Sequence, residues 1–596
     1  MTVYAAPLAD MRFAATKLAG FNEIAGLPGG EDLNEELLES ILEEGGKFAA
    51  GVLAPLNRVG DTQGSRLENG VVATPDGWAE AYKAFVEGGW NGVPFDPDYG
   101  GQGLPWLAAT ALQDMWHSAS MAFSLCPMLT QAAVEAISRY GSPELKRLYL
   151  PKLVTGEWTG TMCLTEPQAG SDLAAIRTRA VPEGDHYRIT GQKIFITYGD
   201  HELADNIVHS VLARPPDAPP GVKGISLFVV PKYLVGENGE LGARNDLRCV
   251  SLEHKMGIHA SPTAVMSYGD NEGAIGYLVG EESKGLQHMF TMMNNARLSV
   301  GLQGVAVAER AMQNAASYAR ERVQGRDIAG DDPNTVAIIR HPDIRRMLMT
   351  MRALTEASRA LAYFAAGRLD IANRHPDTDE RQAAQAQVDL LIPVVKGWCS
   401  EIGSEAASLG VQIHGGMGYI EEAGAAQFMR DAKIAEIYEG TNGIQANDLV
   451  GRKVVRDSGA AARKMIAAMR ALDAGLADAG DDLMGLRRAL GEGLDRLENA
   501  TAWLLAHYPD DPRDGAAGAM DYLRLWGTVL GGWLMARAAL AARADLEANE
   551  GDPNFLRAKI FTAKFYGERI LPRARAYEAA VTAGADTLMA MPDDAF

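Results

Sequence analysis

The sequence predicts an α+β fold in which one β domain is set between helical blocks, and three observations predict it. Apolar residues recur at three- and four-residue intervals from about residue 33 to 155. From about 159 to 275 that period gives way to short β-prone runs parted by Gly, Pro and Asp clusters. Helical spacing then returns and lasts through the C-terminal block. A chain of 596 residues also exceeds one compact core and should divide into roughly three or four domains.

The first helical block opens with LNEELLESILEEGGKFAAGVLAPL, residues 33–56, whose apolar positions fall on one helical face. It is interrupted by GGWNGVPFDPDYGGQGLPW, residues 88–106, an ordered loop that reads either as a rigid connector or as a ligand contact. The β domain is announced by HYRIT, KIFIT, NIVHSVLA, GISLFVV and AVMSY, the pattern of a compact antiparallel sheet. In the helix that follows, Leu298, Leu302, Val305, Ala308, Met312 and Ala315 share a face, and Glu309, Gln313, Arg320 and Glu321 lie elsewhere. Ala-, Leu- and Met-rich helices fill 343–372 and 380–410. A last helical block runs from about 460 to 596, broken at ALDAGLADAG and YPDDPRDGAAG. The expected domains are therefore 1–158, 159–278, 279–458 and 459–596, and no fixed-period repeat relates them.

Composition narrows the function. A formal charge of -21, spread along the chain, disfavours a nucleic-acid binder and requires a local positive patch for any polyanionic ligand. Four widely separated cysteines (Cys126, Cys163, Cys249, Cys399) without a CxxC pair support neither a disulfide framework nor a zinc site, so no metal and a reducing cytoplasm are expected. The first residues lack an apolar export segment, and nowhere do about 18 apolar residues run uninterrupted, so no membrane span is expected. No GxGxxG follows a strand, and GxSxG, GxxxxGK[ST] and HExxH are missing from the sequence. Rossmann, serine-hydrolase, P-loop and zincin readings fall away.

Three segments carry chemistry. TMCLTEPQAGSD, residues 161–172, places the Thr165 hydroxyl before a proline-fixed turn, with backbone donors around Gly170 and Ser171 suited to a polar ring edge or a phosphate. GQKIFIT, residues 191–197, sets Phe195 two residues before Thr197, on one face of a strand. IAEIYEGTNGIQ, residues 434–445, begins as a helix and then meets Glu439, followed at once by Gly440, Thr441, Asn442 and Gly443.

These segments resemble those of the acyl-CoA dehydrogenases. MCLTEPQAGSDLAAIRTRA, GQKIFIT, LEHKMGIHASPT, the helix starting at Arg297, ARERVQGR, QIHGGMGYIEE and MRDAKIAEIYEGTNGIQ occur in the family's order and cover about residues 40–455. The resemblance implies an N-terminal all-α domain, a middle antiparallel β-barrel domain and a C-terminal helical bundle, with an extra helical domain at the end. The arm and this extra block make the chain similar to the longer members that act on a short thioether acyl-CoA in dimethylsulfoniopropionate breakdown.

The resemblance also implies FAD. Cys163, Leu164 and Thr165 are expected at the pyrimidine edge of its ring, Gly170 and Ser171 near a phosphate, Phe195 against the ring and Thr197 close to N5. Arg322 and Gln324 are expected to reach a neighbouring subunit's cofactor phosphates, and Gln412, Gly415 and Gly416 to admit its adenosine side. Gln324 and Gly325 depart from the Thr and Phe that many members carry. Glu439 is expected to take the acidic α proton of the thioester while the flavin accepts the β hydride. Glu436, one turn earlier, is the rival carboxylate and reads as a solvated surface group. Gly440 would let the thioester approach, Thr441 and Asn442 would cap or line the cofactor edge, and Ser171, Asn294, Arg297 and Tyr438 would meet substrate. Asn294 replaces the family's aspartate. His259, Ser261 and His414 are expected to be structural.

The leading expectation is thus an FAD-dependent dehydrogenase passing electrons to an electron-transfer flavoprotein, with the C-terminal block leaving a homodimer. Alternatives are an ordinary short- or medium-chain acyl-CoA as substrate, an oxidase or monooxygenase on the same scaffold, and a catalytically silent acyl-CoA-binding protein.

Overall fold

The computed structural model describes residues 4–330 and 334–596. The chain forms two compact units. One comprises Met1–Gly46, Thr110–Ser118 and Val300–Phe596, the other Lys47–Ala109 and Ala119–Ser299.

The second of these holds the sheet. Its helix α1, Met121–Tyr140, is apolar enough to cross a membrane, but it is almost wholly buried inside the protein, which accounts for its composition. Eight strands follow: β1 (Trp158–Cys163), β2 (Arg179–Glu183), β3 (His186–Thr197), β4 (Asn206–Ala213), β5 (Ser226–Pro231), β6 (Leu247–Leu252), β7 (Thr263–Tyr268) and β8 (Ala274–Leu278). They pair in the order β6-β7-β3-β8-β5-β4-β1, with β2 also on β3, so among the described residues the ladder ends on β6 and β1. Ile189, Val211, Phe228, Val230, Met266 and Tyr268 form its core.

The antiparallel expectation holds for every pair in this sheet but one. β1 and β4 run parallel, from Trp158 opposite Asn206 to Cys163 opposite Val211. A parallel pair needs a long crossover, normally a helix. Here the β2–β3 hairpin provides it, so the sequence shows only strand signals. β1, β4 and β5 are buried along their whole length, which removes the alternation that marks a half-exposed strand.

The helical reading of the first block also misses a short hairpin, Arg66–Glu68 with Val71–Ala73, too brief to establish a period. The loop at 88–106 is fastened to its surroundings, as a rigid connector requires. The Asn91 amide donates to the Leu153 and Val154 carbonyls at 2.8 and 3.2 Å, Gln131 donates to the Asn91 carbonyl at 3.0 Å, and Phe95 packs edge-on against Trp106.

The other unit is helical. Helix α2, Gly285–Glu321, enters it at Val300 and ends at a small hairpin, Val323–Arg326 with Thr335–Ala337. Then come α3 (Pro342–Arg374), α4 (Thr378–His414), α5 (Ala425–Ala432), α6 (Asn442–Asn447), α7 (Met484–His507), α8 (Pro512–Ala548) and α9 (Pro553–Arg569). The break at YPDDPRDG is a capped helix start: the Asp511 carboxylate accepts from the Arg513 N–H at 2.9 Å and Pro512 takes the first helical position. ALDAGLADAG contains one short helix, Asp473–Asp478.

The C-terminal block belongs to this unit's core. α8 lies so close to α4 that a Cβ added at Gly527 would stand 2.1 Å from Trp398 Cγ. Beneath it lies a buried ionic cluster absent from the sequence reading. Arg359 meets Asp114, Asp10 and Glu309 at 2.7, 2.7 and 3.0 Å, and Lys559 meets Glu356 at 3.0 Å and Asp10 as well. It joins the N-terminal arm, α2, α3 and α9.

Candidate active site

The sequence-predicted residues fall into three groups. The first surrounds the end of β3. Its register against β7 steps from Met266 opposite Lys193 to Ala264 opposite Ile196, so β3 carries one extra residue there. Phe195 occupies the bulge with φ +59, and its side chain is 58% exposed. This corrects the simple two-residue alternation: Lys193 and Ile196 are buried, and Phe195 is turned outward by a left-handed backbone. Such a conformation costs a residue with a side chain about 1–2 kcal/mol. A strained, exposed aromatic is the feature expected where a flat apolar ring is to be received.

The loop after β1 is fastened beside this bulge. The Ile194 N–H donates to the Thr165 carbonyl at 2.9 Å, and the Lys193 ammonium donates to the Leu164 carbonyl at 3.0 Å. Lys193 also pairs with Glu166 at 2.8 Å, both side chains being buried. The Glu166 carboxylate accepts further from the Arg177 and Thr178 N–H groups and the Thr178 hydroxyl, at 2.7, 3.1 and 2.6 Å. Burial alone would raise its pKa, but Lys193 and these donors outweigh it and hold the carboxyl at about 2. Neither residue figured in the sequence reading, although a lysine inside the β-prone KIFIT run is a usable signal: it must be paired if buried.

Thr197 is half-buried, and its carbonyl accepts from the Thr161 hydroxyl at 2.7 Å. Gly170 and Ser171 are exposed, with open space where a Cβ would be added at Gly170. Cys163 requires correction. Its sulfur lies in the core against the Tyr268 hydroxyl at 3.2 Å and His209 Nδ1 at 3.7 Å, and burial pushes the thiol up to about 12. Its side chain is committed to the core of the sheet. Arg297 is likewise no open channel residue. It is 7% exposed, lies over the Phe290 ring at 5.9 Å, and donates to Asn294 at 3.4 Å, leaving the exposed Asn294 amide as the accessible group of the two.

The second group is the turn around Glu439, in the helical unit. The expected helix stops early: α5 ends at Ala432, a tight 3₁₀ turn covers Lys433–Glu436, and the last backbone bond runs from the Tyr438 N–H to the Ile434 carbonyl at 3.1 Å. Glu439 then takes φ +57 and Gly440 φ +82. The Thr441 hydroxyl caps α6, accepting from the Ile444 N–H at 3.2 Å. Glu439 is half-buried, and its carbonyl accepts from the Gln445 amide at 2.9 Å. The Tyr438 hydroxyl donates to the buried Gln303 amide oxygen; burial first, and the Glu439 charge second, push its pKa far above the ordinary tyrosine value.

Two expectations fail here. Glu436 is no solvated surface group: its carboxylate accepts from the Ser404 hydroxyl and from Lys433 at 2.7 Å, and 17% of the side chain is exposed. Asn442 does not line a cofactor with its side chain. The buried amide is consumed by Lys396 at 2.9 Å, the Gly397 carbonyl at 3.1 Å and Ser400 at 3.0 Å.

The third group is brought together by His414, the last residue of α4. It stacks on Tyr318 at 4.4 Å, donates from Nδ1 to the Gly410 carbonyl at 2.7 Å, and accepts from the Asn314 amide at 3.3 Å. That places the end of α2 beside the end of α4, and so ARERVQGR beside QIHGGMG. Arg322, Gln324, Gln412, Gly415 and Gly416 are all exposed. Arg322 donates to the Gln324 side chain at 3.3 Å, and His341 holds the Gln324 carbonyl at 2.7 Å. Gly415 has φ +59, and an added Cβ at either glycine would meet nothing within 4 Å, so the backbone there is open to a close-lying ligand. His259 is structural, bonded to the Asp61 and Lys255 carbonyls at 2.9 Å each. In the sheet-bearing unit the outward Phe195 suits a flat ring, and in the helical unit Arg322 with the bare backbone at Gly415 and Gly416 suits a phosphate-bearing group.

Known proteins match this chain along nearly its whole length. Four family models match in chain order: "Acyl-CoA dehydrogenase, N-terminal domain" over residues 38–157, "middle domain" over 161–270, "C-terminal domain" over 283–454, and "Acetyl-CoA dehydrogenase C-terminal like" over 460–592. The chain is 49% identical to the 3-methylmercaptopropionyl-CoA dehydrogenase of Ruegeria pomeroyi, covering 98% of this chain and 99% of that protein. It is 33% identical to a butyryl-CoA dehydrogenase of Syntrophomonas wolfei, covering 100% and 99%. Among solved structures, an acyl-CoA dehydrogenase of Bacillus anthracis complexed with FAD shares the fold with a TM-score of 0.73 at 22% identity, covering 96% of this chain and 91% of that one.

Proposed function

This chain belongs to the acyl-CoA dehydrogenase family, and from that premise we propose that it oxidises 3-methylmercaptopropionyl-CoA to methylthioacryloyl-CoA, a step of dimethylsulfoniopropionate breakdown. The observation that carries the chemistry is Glu439, a carboxylate at a left-handed turn inside IYEGT. The substrate follows from end-to-end likeness to the Ruegeria enzyme.

In this reading a Glu439 carboxylate oxygen takes the α proton, and the backbone N–H of Glu439 donates to the thioester oxygen as enolate charge develops on it. FAD, when bound, supplies a two-electron acceptor for the β hydride, so that α proton and β hydride leave together as the 2,3-enoyl thioester forms. Phe195 would receive the ring, the Leu164–Thr165 backbone and Thr197 would meet its polar edge, and Ser171 would serve a phosphate. Arg322 and Gln324, with Gln412, Gly415 and Gly416, serve the cofactor tail of a second copy in a homodimer. Tyr419, 88% exposed beside those glycines, with Met417 and Ile420, supports such a contact. Asn294, held by the buried Arg297 behind it, directs the pantetheine portion, and Tyr438 supports the acyl end. Electrons then pass to an electron-transfer flavoprotein in the cytoplasm.

Anaerobic mixing of the flavin-loaded protein with 3-methylmercaptopropionyl-CoA, butanoyl-CoA and octanoyl-CoA tests this. The thioether substrate is expected to bleach the flavin fastest. A clear preference for butanoyl-CoA would install the second reading, an ordinary short-chain dehydrogenase, which the full-length likeness to the Syntrophomonas enzyme favours. Binding without bleaching by any of the three would make this a silent acyl-CoA binder.

A further inference from the structure

We propose that Gln445 is a positioning residue that sets the direction of the Glu439 side chain, with Gln303 as its counterpart; this rests on reading Glu439 as the base. Glu439 stands at φ +57, a conformation that residues with side chains rarely adopt unless their surroundings impose it. Two fully buried amides impose it. Gln445 Nε2 donates to the Glu439 carbonyl at 2.9 Å, and Gln303 Oε1 accepts the hydroxyl of Tyr438, the residue before. The turn is thereby tied on one side to α6 and on the other to α2.

The polarity of the first bond is dictated by its partner. A carbonyl only accepts, so Gln445 must present its NH₂ group, and its oxygen is left without a hydrogen-bond partner among the described residues. Packing alone does not explain a buried amide that gives up half its bonding capacity to hold the main chain of one residue. Gly440 fits the same device. It has φ +82, and a Cβ added there would lie 2.9 Å from Gln445 Nε2, close against the donor. The glycine thus keeps clear the path by which Gln445 reaches the carbonyl. Holding the backbone angles at Glu439 holds its Cα–Cβ bond, and with it the approach of the carboxylate to the α proton. A misplacement of about 1 Å at a reacting group lowers rates roughly 10²-fold.

The test uses the FAD-loaded enzyme and its Gln445→Met and Gln445→Glu variants, mixed anaerobically with the acyl-CoA that bleaches the wild type. For Gln445→Met the limiting rate of flavin bleaching is expected to fall roughly 10²-fold, with flavin content and half-saturating substrate concentration unchanged. For Gln445→Glu the loss should ease as pH falls, because the introduced carboxyl, once protonated, again donates to the carbonyl. That trend runs opposite to the loss of a carboxylate base on protonation. A Gln445→Met enzyme that bleaches at the wild-type limiting rate overturns the inference, as does one that loses flavin and substrate affinity in step with rate. Should Gln445→Met not fold, the near-isosteric Gln445→Glu decides by its pH trend, a flat profile overturning the proposal. A wild type that no acyl-CoA bleaches removes the base reading, and the inference with it. A bleaching wild type beside an equally fast variant removes the inference alone.

Discussion

Lys193 and Glu166 meet at 2.8 Å inside the β domain, and the same ammonium grips the Leu164 carbonyl at 3.0 Å. One buried charge therefore both neutralises a carboxylate and fastens the loop that lies beside Phe195. Lys193→Met leaves Glu166 buried and unpaired, which costs about 3–5 kcal/mol. The expected result is a lower urea midpoint together with poor flavin retention. An unchanged midpoint with a full flavin complement would refute this role.

The same pair predicts an acid sensitivity. The Glu166 carboxyl is held at about 2, below the ordinary value of about 4.3. A carboxyl depressed in the folded state stabilises the fold above its unfolded value, and the contribution is lost as pH falls from about 4.3 toward about 2. Burial acts the other way on Lys193, drawing its pKa down, so the pair contributes less than the carboxyl alone suggests. Glu166→Gln should flatten the stability profile in that acid window while lowering stability at neutral pH. A mutant profile as steep as wild type there would count against the assignment.

Phe195 offers a separation of cofactor contact from core packing. Its ring is 58% exposed and its backbone is left-handed. A buried phenylalanine truncated to alanine costs about 3–5 kcal/mol. Phe195→Ala should instead leave apoprotein stability within about 0.5 kcal/mol and weaken flavin binding. Calorimetry of the apoprotein beside flavin titration reads both, and a large drop in apoprotein stability would return Phe195 to the core.

Glu439 and Glu436 lie three residues apart, yet their surroundings assign them different work. Glu436 is tied to Ser404 and Lys433, whereas Glu439 sits in the Gly440 turn. Glu439→Gln should slow flavin bleaching by roughly 10²- to 10⁴-fold, and Glu436→Gln should keep the wild-type rate with some loss of stability. The reverse pattern would move the base to Glu436.

What was legible in the sequence is what is local. The Glu439 turn announces itself because Gly440 and Thr441 are a left-handed residue and a helix cap, signals that need no distant partner. The change of period near residue 159 marks the sheet for the same reason. Burial is not local, and there the reading slipped. Asn442 looks like a site residue beside Thr441, but Lys396 and Ser400, more than forty positions away, claim its amide. Cys163 looks like a site residue beside Leu164 and Thr165, but β1 is buried along its whole length and the sulfur lies in the core. The parallel β1–β4 pair and the bulge at Phe195 depend on neighbours in the sheet, and the ionic cluster joins residues up to 549 positions apart.

That cluster and the α4–α8 contact argue that the C-terminal block is structurally obligatory in this enzyme. Arg359 is 1% exposed and faces three carboxylates from three separate segments; Lys559, from α9, shares Asp10 with it. Burial would raise the Asp10 pKa, but the two cations keep it low, so the arm is held through charge as well as packing. Lys559→Met strands the Asp10 and Glu356 charges in part and should cost about 3–5 kcal/mol. Gly527→Ala, which forces a methyl onto Trp398, should cost about 1–3 kcal/mol by overpacking. These sites act on different contacts, so the double variant is expected to show nearly the summed loss. A chain ending at residue 458 would lose both contacts and should be recovered only as insoluble or flavin-free protein. Soluble, flavin-bound protein of that length, active on acyl-CoA, would show that the block is an appendage.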